Sequence, residues 1–243
     1  MTTGGRVHVV LEAEIGSTAY GLNTAASDHD YVAVYLEPAE TLFGIAPESK
    51  TCIDRPRTEN AKSQAGDHEQ TLYPLRKFAS LAAQGNPSVM SVLFSPIITV
   101  PDAIGLRTCR DMFMSKKVLS SHLGYSDSLV AQLTGKRKPK FNRPELVSAH
   151  GWDTKAGRYA TQLLMQSIAM ARTGNMVLPM AGNDLEFLKQ VRDGELSLDV
   201  VLARIKELKS ELHEAGNSSA LPDAPYYEAI NSWLIETYRE HLL

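Results

Sequence analysis

The 243 residues carry 25 basic and 28 acidic side chains, a formal charge of −3, so no overall basic field marks a non-specific nucleic-acid binder. Apolar residues make up 43% and charged residues 22%, the balance of a soluble globular chain that folds without disulfide or metal staples. Two cysteines, Cys52 and Cys109, show no metal or redox spacing, which excludes a disulfide framework and fits a reducing, cytoplasmic setting. The opening MTTGGRVHVVLEAEIG has neither region of a signal peptide, and no apolar run is long enough to span a bilayer.

Taken in chain order, VHVVLEAEI (Val7 to Ile15) alternates as a strand does, and YVAVYL (Tyr31 to Leu36) is a β-branched and aromatic run of strand length. Thr51 to His68 is polar without an apolar period and reads as a long loop of functional character. EQTLYPL then reads as a third short strand. From there the pattern becomes helical. LRKFASLAAQ sets Leu75, Phe78, Leu81 and Ala82 on one face and stops at Gly85-Asn86-Pro87, and SVMSVLF continues as a short apolar helix. KKVLSSHLGYSDSLVAQLTG and DTKAGRYATQLLMQSIAMARTG predict longer helices, the second capped by Asp153 and closed by Gly174. DLEFLKQVRDG, SLDVVLARIKELKSELHEAG and APYYEAINSWLIETYREHLL predict three more. The expected class is α+β: a core at residues 1–100 with a mixed β-sheet flanked by helices, then a helical region at 101–243 packing on it.

Asp28 and Asp30 head the second strand two residues apart, and residues so spaced point to one face. Two carboxylates held that close need a cation between them, and their hard oxygens suit Mg²⁺, with Mn²⁺ as a substitute. Glu69, at the head of the third strand, is the candidate third ligand that would complete a two-ion site, with Asp67 behind it. Gly16-Ser17 supplies the complement: glycine lets backbone approach a phosphate, and the serine hydroxyl and nearby N–H groups donate to its oxygens. If STAYGL opens a helical turn, its N-terminus adds a favourable partial charge.

Blander readings stand beside these. SDHD is also turn chemistry, and Glu69 also reads as an exposed strand-end acid. Tyr20 reads as packing, and His29, on the face opposite the aspartates, as structural. His122 and His150 lack ligand spacing. Lys155 either contacts a triphosphate or pairs with Asp153. GKRKPKFNR gathers Lys136, Arg137, Lys138, Lys140 and Arg143, a run able to follow a nucleic-acid backbone or to be a solvated loop.

Gly16-Ser17, ten residues, then Asp28-x-Asp30 resembles the signature of the DNA polymerase β-like nucleotidyltransferase superfamily. GSTAYGLNTAASDHDYVAVYLEP, with LYPLRKF, GNPSVMSVLFSP and GWDTKAG, resembles one branch of it, the bacterial and phage family named for an RNA-repair pathway. The resemblance implies a minimal nucleotidyltransferase core binding a nucleoside triphosphate with Mg²⁺, Gly16 and Ser17 on the triphosphate, and Asp28 and Asp30 on the metal. Glu69 stands where the family usually has aspartate, nine residues before Phe78. Asp153 and Lys155 match the family's later Asp-x-Lys, whereas Tyr159 and Gln162 depart from the histidine and arginine that often follow it.

These residues make the chain an expected Mg²⁺-dependent nucleotidyltransferase whose acceptor is an RNA end, such as that of a tRNA. Nucleotidylylation of a protein, or of a small hydroxylated molecule, is the alternative acceptor chemistry. A non-catalytic nucleotide binder is the alternative class, disfavoured because a binder has no need of paired acids.

Overall fold

The computed structural model describes residues 7–242, apart from 26, 46, 55–65 and 140–142. The chain forms two compact units: Met1–Gln84, Ser88–Phe113 and Pro225–Leu243 make the first, and Gly85–Pro87 with Met114–Ala224 the second. This division differs from a single cut near residue 100, because the last helix returns to the sheet.

The first unit is built on a mixed five-stranded sheet in the order β3-β4-β2-β1-β5, from β1 (His8–Ile15), β2 (His29–Leu36), β3 (Cys52–Asp54), β4 (His68–Pro74) and β5 (Ile98–Val100). EQTLYPL is thus the fourth strand rather than the third. β3 and β5 are three-residue edge strands, too short to show a period. β2 runs antiparallel to β1 and parallel to β4, a pairing that requires a crossover, and the chain between them passes through α2 (Ala39–Phe43) and β3. Val32 to Leu36 are buried along β2, the placement their β-branched and aromatic side chains favour.

Helices α1 (Gly16–Ala19) and α3 (Leu75–Ala83) directly follow β1 and β4, and α4 (Pro87–Phe94) comes between α3 and β5. In α3, Leu75, Phe78, Ala79, Ala82 and Ala83 form the buried stripe, and Leu81 lies at its margin. Phe78 meets Tyr73 of β4 edge to face. No residue at the head of α3 caps it, but the buried Glu37 does so from across the unit, accepting from the N–H groups of Leu75 (3.0 Å) and Arg76 (3.3 Å). The same carboxylate accepts from Tyr238 of α10 (Tyr227–Leu242) at 2.5 Å, and Trp233 donates to the Ile104 carbonyl at 3.3 Å. These two bonds fasten the last helix to the sheet unit.

The second unit is helical, with α5 (Lys116–Leu133), α6 (Pro144–His150), α7 (Thr154–Thr173), α8 (Gly182–Arg192) and α9 (Leu198–Asn217). α7 is its axis, buried around most of its circumference and packed by α5, α6, α8 and α9. Asp153 caps it by accepting from the Ala156 N–H at 3.0 Å, and Gly174 ends it in the left-handed conformation. Among the described residues no helix is long and apolar enough to cross a membrane.

Candidate active site

The local sequence puts the Gly-Ser turn and the aspartates at one end of the sheet. β1 ends at Ile15, opposite Asp30 across the antiparallel ladder, and Gly16 turns the chain immediately afterward. Gly16 has φ +67°, and a Cβ there would lie 2.5 Å from Asp30 Oδ2, so glycine lets the turn sit directly against the carboxylate. α1 is a single turn, and Ser17 in it is partly exposed.

Asp30 stands opposite Glu69 in the parallel β2–β4 ladder. Paired residues on neighbouring strands share a face, so both carboxylates lie on the face that carries Val32 and Val34. Asp28 lies just before β2, where pairing persists: the His29 N–H donates to the Asp67 carbonyl at 2.8 Å and the Gly66 N–H to the Ser27 carbonyl at 3.2 Å. The register therefore carries Asp28 alongside Asp67 as it carries Asp30 alongside Glu69.

These are hard oxygen donors, the class a divalent cation shared with phosphates takes. Among the described residues no group of three His, Cys, Asp or Glu stands ready to hold a metal. A hard divalent cation held by only some of these carboxylates would draw its remaining ligands from substrate phosphate and water. Asp28, Asp30 and Glu69 would be the residues to hold it.

The opposite face carries a second polar set. His29 donates through Nδ1 to Glu14 Oε1 at 2.6 Å, and Glu12 accepts from Thr99 at 2.6 Å and from Gln70. Glu12 and Glu14 are both buried, and these bonds satisfy them. Tyr31 stacks on His68 at 3.9 Å, and burial, followed by the charges of Glu14 and Glu12, raises its hydroxyl pKa. His29 thus has a structural partner. The sequence signal for it was two acids, Glu12 and Glu14, interrupting an apolar strand.

Tyr20 is buried and hydrogen-bonded to Ser91, in keeping with packing. Asp153 pairs with Arg143 at 2.7 Å rather than with Lys155, which is exposed. That ion pair commits one cation of the basic run to the start of α7. Lys136, Arg137 and Lys138 are exposed just past α5, Arg137 donating to Ser128 Oγ at 3.0 Å; Lys140 lies outside the described residues. His122 is fully buried between α5 and α7, where burial lowers its pKa to about 4. A groove of about 230 Å³ between α5 and α9 is lined by Lys116, Leu119, Lys209 and His213, and by none of the candidate residues.

A 38.9 kDa phage T4 protein from the nrdC–mobD intergenic region, itself uncharacterized, is 36% identical over 90 residues, which span 36% of this chain and 26% of that one. The chain therefore matches about a quarter of that relative's length. A nucleotidyltransferase-like protein from Exiguobacterium sibiricum 255-15 superposes with a TM-score of 0.30 at 11% identity, over 96% of this chain and 75% of the other. Residues 2–236, nearly the whole chain, match RlaP, and the chain belongs to that RNA repair pathway DNA polymerase beta family.

Proposed function

We propose that the chain transfers a nucleoside monophosphate from a nucleoside triphosphate to an acceptor hydroxyl in a Mg²⁺-dependent reaction, with an RNA end as acceptor. The observation that carries this reading is the juxtaposition of Gly16, Asp30 and Glu69: a left-handed glycine turn set directly against one of two carboxylates that the β2–β4 register places side by side. Gly16 and Ser17 hold the triphosphate through backbone N–H groups and the hydroxyl. Asp28, Asp30 and Glu69 would hold a divalent cation, which when bound would supply charge neutralisation to the phosphate oxygens.

The acceptor oxygen bonds to the α-phosphorus as the bond from that phosphorus to the pyrophosphate oxygen breaks. Asp30 or Glu69 orients the hydroxyl and takes its proton, so no covalent enzyme intermediate is formed. The family's description supports RNA as acceptor, and the exposed Lys136, Arg137 and Lys138 suit a phosphate backbone.

The test uses α-labelled nucleoside triphosphates, Mg²⁺ and a cell lysate, comparing wild type with Asp28→Asn/Asp30→Asn. RNase-sensitive label from wild type alone is the expected result. Protease-sensitive label would replace RNA with a protein acceptor, and full transfer by a folded double variant would sink the site. Label in neither, with nucleotide still bound, would leave a binder.

A further inference from the structure

Resting on that reading, we propose that α4 and the residue that follows it position the phosphate-binding turn, Ser91 and Ser95 gripping it from its two sides. The apolar helix α4 carries Ser91, and Ser95 directly follows its last residue, Phe94; the two serines are four residues apart and both are buried. Each holds a different flank of Gly16-Ser17. Ser95 Oγ donates to the Glu14 carbonyl at 2.6 Å and accepts from the Ile97 N–H at 3.1 Å, while the Glu14 N–H donates to the Ile97 carbonyl at 3.0 Å. Ser91 Oγ bonds the hydroxyl of Tyr20, the residue that closes α1.

The turn therefore hangs between two anchors, at residues 14 and 20, one on α4 and one just past its C-terminal end. A third layer steadies the anchors. The Arg107 guanidinium donates to the carbonyls of Leu93 (3.2 Å) and Ser95 (2.6 Å), and Arg110 lies over the Phe94 ring at 4.7 Å. Cations at a helix C-terminus satisfy carbonyls that have no partner within the helix. Asp102 in turn accepts from the Arg107 N–H at 2.7 Å.

Such a clamp meets a specific need. Gly16 has the greatest backbone freedom of any residue type, yet it must stay against Asp30, and in-line transfer tolerates little displacement. Ser91 and Ser95 are positioning residues, acting through the backbone at 14 and the ring at 20.

The experiment compares wild type with Ser95→Ala, Ser91→Ala, Tyr20→Phe and the Ser91→Ala/Tyr20→Phe pair. Hydrogen–deuterium exchange is followed in peptides covering residues 14–22, with α9 as a remote reference. Loss of one clamp bond should speed exchange at the turn roughly three- to tenfold and leave α9 unchanged. The Ser91→Ala/Tyr20→Phe pair should give clearly less than the sum of the two single effects, the signature of a shared bond. In transfer assays at a temperature where every variant is folded, kcat should fall by on the order of 10²-fold, with the KM for the triphosphate moving only a few-fold. Unchanged exchange at the turn, or wild-type kcat beside accelerated exchange, would overturn the positioning role. Accelerated exchange with no transfer by wild type on any acceptor would instead refute the nucleotidyltransferase reading and reduce the clamp to a structural tie.

Discussion

Replacing Gly16 by alanine separates the backbone cost of the turn from its chemical role. At φ +67° an L-residue incurs the left-handed penalty of about 1–2 kcal/mol, a fall in melting temperature of roughly 2–8 °C for a chain of this size. The added methyl also lands 2.5 Å from Asp30 Oδ2, where ordinary contact begins at 3.4 Å, so the carboxylate or the turn must retreat by roughly 1 Å. A displacement of that size at the reacting groups lowers the rate by on the order of 10²-fold. The control is Gly105→Ala: φ is +69°, but a Cβ there meets nothing within 4 Å, so it incurs the backbone penalty alone. Thermal melts and label transfer on both variants should show similar melting shifts, with activity lost only at position 16. Equal activity in the two folded variants would refute the claim that Asp30 must sit against the turn.

The third carboxylate can be assigned by comparing neighbours: Glu69→Gln should lower transfer by about 10²-fold or more, whereas Asp67→Asn should retain activity within a few-fold. The reverse ranking would transfer the role to Asp67. A pH prediction follows from His122. Its pKa is about 4 in the folded chain and 6.5 ordinarily, because burial disfavours the charged ring. Between these values the unfolded chain binds the extra proton, so His122's contribution to stability is fully present above pH 6.5 and is lost as pH falls toward 4. Denaturant melts of wild type should show that decline, and His122→Leu should flatten it; an unchanged slope would show that the histidine is not the titrating group.

Several parts of the molecule were legible before any fold was known because they depend on near neighbours in sequence. The two-residue spacing of Asp28 and Asp30, the cap at Asp153, the stop at Gly174 and the apolar faces of α5, α7 and α9 are matters of rotation per residue and local hydrogen bonding. β3 and β5 escaped because three residues carry no period. Glu12 and Glu14 were visible as interruptions, but the residues that satisfy them, Thr99, Gln70 and His29, come from other strands.

The sequence by itself determined the candidate chemistry: a phosphate-friendly turn, two aspartates at a strand head, and an acid further on as candidate third ligand. Only the tertiary structure decided that β4 lies parallel to β2 in the register that sets Glu69 opposite Asp30. The same is true of the last helix, which returns to the sheet through Tyr238 and Glu37, and of two serines, one in α4 and one just past it, that reach both flanks of the turn. The reason is physical. Periodicity and capping act over a few residues, whereas strand register and buried polar partners are chosen by contacts between distant segments, which exist only once the core has formed.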